Sequence, residues 1–226
     1  MDILGKLAGK VIVSVQAMPD EPLYEEVCIN AMMASVINGG ASGLRVAGVR
    51  DVKNAKAFNV PVIGITKPDK LPVNWKEIVY ITPTLNEVNT LIEANADIIA
   101  FDGTSRIRPN NCTLSDIIER IHSAGKLAMA DISTFDEGIN CSKLGADILS
   151  TTLSGYTKES ESESDKPDFE LLNKLVKSVN TPVILEGRVW EPDEVTKAFE
   201  LGAHSVVIGS AITRPQLITK RFINHK

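Results

Sequence analysis

Two charged residues follow apolar runs that are typical of buried β-strands. Lys67 comes shortly after the run 62–65, and Glu186 comes directly after the run 183–185. A strand that is buried on both faces has no structural reason to end in charge unless that end opens into a pocket. At neutral pH lysine is an acid and glutamate is a base. The pair therefore suits a reaction that removes a proton from one face of a carbon and delivers one to the other face.

The elements that would position this pair are eight short β-rich runs, which alternate with segments of helical periodicity. Glycine or asparagine followed by alanine precedes several runs, as is typical of helix-to-strand turns. The alternation predicts an α/β fold, a single (β/α)8 TIM barrel over residues 1–226. An open doubly wound sheet is the alternative, but no Gly-x-Gly-x-x-Gly turn follows the first run. The predicted strands are 11–15, 43–46, 62–65, 97–101, 127–130, 147–150, 183–185 and 205–208.

Helical periodicity and capping residues predict six helices, and a further helix is expected at the C-terminus. Two segments depart from this alternation. The prolines of 67–77 predict a long loop at the pocket rim, with 79–81 as a short extra strand. The serine and glutamate repeat at 158–165 predicts a surface loop, either a lid or a solvated turn. The predicted helices are 25–38, 85–94, 114–124, 136–144, 168–179 and 193–201.

The catalytic face of such a barrel is formed by the carboxyl ends of its strands. Lys67 follows the third strand and Glu186 ends the seventh, so they are expected on opposite sides of the ring. Two candidate residues also have a purely structural interpretation. In that interpretation Lys67 is a surface lysine in a long loop, and Asp131, which follows the fifth predicted strand, caps the next helix. The role of Asp102 stays open. Other polar residues at predicted strand ends are Gln16, Arg45, Thr151 and Thr152.

The loops after the last two strands are suited to phosphate. Many barrels bind a phosphoryl group there through loop amides and the start of a short helix, and arginine adds a charge-assisted contact. Arg214 is a further candidate, or alternatively an anchor of the C-terminal helix. The predicted phosphate-binding residues are Gly187, Arg188, Gly209 and Ser210.

Composition excludes several partners. The formal net charge of -5 gives no basic footprint for nucleic acid or an anionic membrane, and no apolar run is long enough to cross a bilayer. The cysteines lack paired spacing, which favours reduced packing residues in a cytoplasmic protein. The histidines form no metal-ligand pattern, so we expect no metal. These residues are Cys28, Cys112, Cys141, His122, His204 and His225, of which His122 and His225 are expected to be exposed.

Several motifs, in their order along the chain, closely resemble those of the N-acetylmannosamine-6-phosphate 2-epimerase family of (β/α)8 barrels. The resemblance extends from about residue 9 to residue 222. It rests on Gln16-Ala-Met-Pro-Asp-Glu-Pro22, Gly64-Ile-Thr-Lys67, Ala130-Asp-Ile-Ser-Thr134, Thr151-Thr-Leu-Ser-Gly-Tyr-Thr157, Glu186-Gly-Arg188 and Gly209-Ser-Ala-Ile-Thr-Arg-Pro-Gln216.

The resemblance implies a cofactor-independent interconversion of N-acetylmannosamine 6-phosphate and N-acetylglucosamine 6-phosphate in sialic acid breakdown. It places the catalytic lysine at Lys67 and its acidic partner at Glu186. It also implies sugar contacts by Gln16, Arg45 and Asp131, ligand binding by Arg214, and a phosphate site in the backbone around Gly187, Gly209 and Ser210. The chain departs from the family pattern at Pro68, at 46–48 and at Gly103.

Two other functions fit the same barrel. Lys67 could form a Schiff base, which would make the protein an aldolase or lyase acting on a sugar phosphate. Alternatively, the barrel could be a regulator that binds a sugar phosphate without turnover. An exposed apolar helix face would indicate a homodimer, although the sequence alone does not separate such a face from core.

Overall fold

A computed structural model describes residues 2–224, and His225 lies outside this range. Eight parallel strands pair in sequence order, and β8 pairs with β1 to close the ring. The closure confirms the predicted TIM barrel and excludes the open sheet. The strands are β1 Lys10–Val15, β2 Gly43–Ala47, β3 Val62–Ile65, β4 Ile98–Asp102, β5 Leu127–Asp131, β6 Ile148–Ser150, β7 Val183–Glu186 and β8 Ser205–Ile208.

The helices surround the barrel. The six predicted helices are present, with ends that differ from the prediction by at most one residue, and the C-terminal helix is present as well. Three short helices, α1, α3 and α9, were not predicted because each has too few residues to show a period. The helices are α1 Ile3–Leu7, α2 Glu26–Asn38, α3 Val49–Ala55, α4 Leu85–Glu93, α5 Leu114–Ser123, α6 Phe135–Lys143, α7 Phe169–Ser178, α8 Pro192–Glu200, α9 Ser210–Thr213 and α10 Pro215–Asn224.

The predicted extra strand at 79–81 is wrong, because these residues form no strand. The segment is nevertheless held against the barrel. Val79 and Ile81 are buried, and the Ile81 carbonyl accepts a hydrogen bond from the Asp102 N–H at 3.1 Å. Apolar residues here anchor the long loop after β3 without joining the sheet.

The barrel interior changes from apolar to polar along the strands. Alternate strand residues face inward, and the inner apolar cluster includes Ile12, Ile63, Met129 and Ile184. Towards the carboxyl ends the inward positions become polar, as Arg45 shows between its register partners Ser14 and Ile63. The polar site therefore lies on top of a packed apolar plug.

The start of α6 shows whether Asp131 is a helix cap. Thr134 caps this helix, since its hydroxyl accepts a hydrogen bond from the Glu137 N–H, and Glu137 accepts one from the Thr134 N–H in return. This reciprocal arrangement is a capping box. Asp131 is three residues away and is not the cap, so its charge serves another purpose.

Helix α4 offers a direct test of the packing. Leu91 is fully buried against the barrel, whereas Leu85 on the same helix is 37% exposed. We expect Leu91→Ala to lower the free energy of unfolding by about 2–5 kcal/mol, because a cavity is left in the core. Leu85→Ala is the matched control and should change it by about 0.5 kcal/mol or less. Urea denaturation measures both values, and equal effects would contradict the described packing.

Candidate active site

A cavity of about 480 Å³ opens at the carboxyl ends of the strands. Lys67 and Glu186 both line it, one from the end of β3 and the other from the end of β7. Every other predicted site residue except Asp131 lines the same cavity. These residues are Gln16, Arg45, Gly187, Arg188, Gly209, Ser210 and Arg214.

Arg45 forms the floor of the cavity with a side chain that is only 1% exposed. Its two terminal nitrogens donate to the two oxygens of Asp131, at 3.1 Å and 2.6 Å. Its Nε lies 3.3 Å from Glu186 Oε1, at an angle too poor for a hydrogen bond. Burial lowers the pKa of Arg45, but the charges of Asp131 and Glu186 outweigh it and hold the pKa above its usual range.

Asp131 does not line the cavity. Its carboxylate is fully buried, and both oxygens are occupied by Arg45. Oδ1 also accepts a hydrogen bond from the Thr152 hydroxyl at 2.8 Å. In this structure Asp131 therefore fixes the position of Arg45 instead of facing the cavity.

Lys67 points into the cavity, so the interpretation as a surface lysine is wrong. Its Nζ donates to Gln16 Oε1 at 2.8 Å, and Gln16 Nε2 donates to the Ser14 hydroxyl at 2.8 Å. Burial lowers the pKa of Lys67 to about 8, with the positive charge of Arg45 acting in the same direction and Glu186 opposing it. The amine is therefore ready to lose its proton near neutral pH.

Glu186 is held by hydroxyl groups from the segment that follows β6. Thr152 donates to Glu186 Oε2 at 3.1 Å, and the Thr151 hydroxyl bonds both the N–H and the carbonyl of Glu186. Burial raises the pKa of Glu186, and Arg45 partly offsets this effect. The pKa values of Glu186 and Lys67 are thus shifted towards each other.

The proposed phosphate end contains two arginines with different partners. Arg188 donates to the carbonyls of Ser154 and Lys166, at 2.6 Å and 2.7 Å, and so joins the loop after β6 to the loop after β7. Arg214 forms an ion pair with Glu21 at 2.8 Å. Gly187 adopts a φ of 108°, a conformation that favours glycine.

Asp102 belongs to a separate network beside the cavity and does not line it. It forms an ion pair with Arg106 at 2.6 Å and accepts hydrogen bonds from the Thr104 N–H and hydroxyl. Arg106 in turn donates to the carbonyl of Lys76 at 3.0 Å. The open question about Asp102 is answered by these contacts, since they anchor the long loop after β3.

Sequence reasoning missed part of the cavity wall. Trp75 and Tyr80, both in the loop after β3, line the cavity and pack edge to face with ring centres 6.2 Å apart. Burial raises the pKa of Tyr80 to about 12, so its phenol stays protonated. The loop has no period that would reveal which of its residues face inward.

The serine and glutamate loop lies against the same rim. Lys158 pairs with Glu77 at 3.3 Å, and Lys76 pairs with Glu161. All four side chains are well exposed, so these pairs contribute little to stability. They nevertheless place the 158–165 loop beside the cavity mouth.

Two kinds of feature are absent from residues 2–224. No helix there has the length and apolarity needed to cross a bilayer. In the same range, no group of three or more His, Cys, Asp or Glu side chains is arranged to hold a metal ion.

Comparisons with known proteins agree with this geometry. The family model described as "Putative N-acetylmannosamine-6-phosphate epimerase" matches residues 29–226. The chain belongs to this family.

Relatives and a solved structure extend the family match to nearly the whole chain. A relative from Clostridium perfringens, named "Putative N-acetylmannosamine-6-phosphate 2-epimerase", is 48% identical over 97% of this chain and 98% of its own. One of the same name from Clostridioides difficile is 46% identical over 98% and 97%. A solved structure of the N-acetylmannosamine-6-phosphate 2-epimerase from Clostridium perfringens has a TM-score of 0.92 at 48% identity, covering 98% of this chain and 95% of that one.

The environment of Lys67 predicts a measurable titration. Competitive labelling with acetic anhydride across a pH series should show Lys67 half-protonated at about pH 8, against about 10.4 for a lysine peptide control. Glu186→Gln should lower the midpoint further, because a negative charge that favours the ammonium ion is removed. A midpoint equal to that of the peptide would contradict the buried placement of Lys67.

Proposed function

We propose that this protein interconverts N-acetylmannosamine 6-phosphate and N-acetylglucosamine 6-phosphate by transferring the proton at C2. One observation carries the proposal. Lys67 and Glu186 reach one cavity from β3 and β7, on opposite sides of the barrel, with pKa values shifted towards each other. The family of the chain and the names of its relatives support the same substrate.

The chemistry needs an acid and a base on opposite sides of one carbon. The two sugars differ in configuration at C2, and the C2 proton is acidic only beside the C1 carbonyl of an opened ring. One group removes this proton, and the other delivers a proton to the opposite face. Ordinary lysine and glutamate have pKa values about six units apart, which would favour one direction. Their convergence here makes both directions accessible.

Arg45 supplies the positive charge at the cavity floor. Removal of the C2 proton leaves negative charge on the oxygen at C1, and a fixed buried cation stabilises that charge without reorganisation. Asp131 holds the guanidinium in place through two hydrogen bonds. Gln16 contacts the sugar and orients Lys67 through its 2.8 Å hydrogen bond.

The sugar phosphate group is assigned to the far end of the cavity. The backbone around Gly187, Gly209 and Ser210 offers N–H donors, and glycine allows close approach. Arg188 and Arg214 add positive charge there. Since Arg214 already pairs with Glu21, a bound phosphate would compete with that carboxylate.

One observation also favours the Schiff-base alternative, because a lysine with a pKa of about 8 is a better nucleophile than an ordinary one. Borohydride reduction in the presence of substrate separates the two reactions. Covalent capture on Lys67 with cleavage of a carbon–carbon bond would favour the lyase, and exchange at C2 without cleavage would favour the epimerase. Absence of any turnover would favour the sugar-phosphate-binding regulator.

Lys67→Ala should lower turnover at least about 100-fold, because one of the two proton-transfer groups is lost. Binding of the phosphosugar should stay measurable by calorimetry, since the phosphate end is untouched. Proton NMR in deuterated water with N-acetylmannosamine 6-phosphate reads product identity and deuterium at C2 together. Near-normal turnover in the variant would remove Lys67 from the mechanism.

We assign the reaction to the cytoplasm, as a step of sialic acid breakdown. The three cysteines support a reducing compartment, since Cys28, Cys112 and Cys141 are all free thiols. A small sugar phosphate is the only partner that the proposed reaction requires.

A homodimer is proposed from two uncovered apolar surfaces. No residue of α10 is buried, and Phe222 and Ile223 at its end are 78% and 60% exposed. A second surface is the groove between β1 and α2, lined by partly buried residues such as Val11, Met32 and Val36. Contact with a second copy of the chain would remove such surfaces from water.

Light scattering after size exclusion should give twice the chain mass of 24.5 kDa. Phe222→Glu should shift the protein towards the monomer, because it places a charge in the buried contact. Lys220→Ala, on the same helix, is the matched control and should leave the dimer intact. A monomeric wild-type protein at tens of micromolar would contradict the dimer.

A further inference from the structure

The further inference concerns Thr152, and it rests on the proposed function. In that reaction Glu186 alternates between an ionised and a protonated carboxyl group. An ionised carboxylate needs a hydrogen-bond donor, whereas a protonated one also needs an acceptor. A partner that serves both forms must therefore donate and accept, which a hydroxyl group does and an amide N–H does not.

Among the described residues, Thr152 is the one whose hydroxyl reaches both carboxylates. Its Oγ1 lies 3.1 Å from Glu186 Oε2 and 2.8 Å from Asp131 Oδ1. The Ser150 hydroxyl is 2.8 Å away. A hydroxyl carries a single proton, so Thr152 donates to only one of these carboxylates at a time.

The two carboxylates differ in the other hydrogen-bond donors that they have. Asp131 Oδ1 already receives a hydrogen bond from Arg45 Nη1 at 3.1 Å. Within the described part of the chain, Glu186 Oε2 has one other donor within reach, the Ser150 hydroxyl at 3.5 Å, which is too long for a good hydrogen bond. When Glu186 is ionised, the Thr152 proton therefore stabilises Glu186 more than it stabilises Asp131.

We propose that Thr152 is a positioning residue that follows the protonation state of Glu186. It donates to Glu186 Oε2 while that carboxylate is ionised. When Glu186 carries a proton, Thr152 accepts from its O–H and turns its own proton to Asp131 Oδ1. No covalent bond is made or broken at Thr152, because only its O–H bond direction changes.

Three other charged groups in the described part of the chain face Glu186. They are Arg45 from β2, Asp131 from β5, and Lys67 from the segment after β3. The hydrogen bond from Thr152 lowers the pKa of Glu186 against the larger, opposite effect of burial. Loss of the hydroxyl should therefore leave Glu186 harder to ionise.

The test compares Thr152→Val, which keeps the side-chain shape without the hydroxyl, with Thr152→Ser, which keeps the hydroxyl. In wild-type protein kcat should fall at acid pH as Glu186 becomes protonated. Thr152→Val should move this acid limb up by about one pH unit or more, as expected for loss of a hydrogen bond to a charged group. Thr152→Ser should restore it, and KM should change by less than about threefold because Thr152 acts on the reaction through Glu186.

A purely structural role for Thr152 would lower stability or raise KM without moving the acid limb, and that result would overturn the proposal. If Thr152→Val does not fold, Thr152→Ala takes its place in the comparison with Thr152→Ser. Carboxyl ¹³C NMR of Glu186 gives the same pKa without turnover. A wild-type protein without activity would refute the proposed function, whereas an unchanged Glu186 titration in Thr152→Val would refute this inference alone.

Discussion

The buried guanidinium of Arg45 is the constraint on which the site depends. A charge this deep in a barrel costs several kcal/mol of lost hydration unless it is paired. Asp131 accepts two hydrogen bonds from the guanidinium, and Glu186 adds a second negative charge beside its Nε. Two carboxylates around one arginine leave the cluster with a net negative charge. Lys67 faces the cluster across the cavity, and its attraction to Glu186 partly opposes the effect of burial on its own pKa.

The barrel can hold this cluster because its inward-facing residues divide into an apolar packing layer and a polar layer near the carboxyl ends of the strands. The lower inward positions pack as an apolar plug, and the uppermost inward positions carry the polar groups. Burial then shifts the pKa values of both proposed proton-transfer groups, Lys67 and Glu186. It disfavours the ammonium of Lys67 and the carboxylate of Glu186, and so it brings their pKa values together. A reversible proton transfer between two faces of a carbon benefits from this match, because neither group is trapped in one protonation state.

Sequence reasoning placed most of the fold and the charged residues that line the cavity. Strands and long helices carry a period, and polar residues at the ends of buried strands have few purposes other than a site. Sequence reasoning did not show which strand-end residues line the cavity and which pair with a buried arginine. Asp131 and Asp102 both end strands and are register partners, yet Asp131 pairs with Arg45 and Asp102 with Arg106. Which arginine pairs with which aspartate depends on the direction of long, flexible arginine side chains, and the sequence pattern does not give that direction. Trp75, Tyr80 and the loop partners of Arg188 were missed for a similar reason, since irregular loops have no period.

In the proposed reaction Lys67 and Glu186 approach one carbon from opposite sides. A crystal structure of Lys67→Met with N-acetylglucosamine 6-phosphate bound would show this arrangement, because the variant keeps the side-chain volume while preventing turnover. We expect C2 to lie between the substituted side chain at position 67 and the Glu186 carboxylate, with the phosphate at Gly187 and Gly209. A sugar with C2 out of reach of Glu186, or with both side chains on the same face of C2, would contradict it.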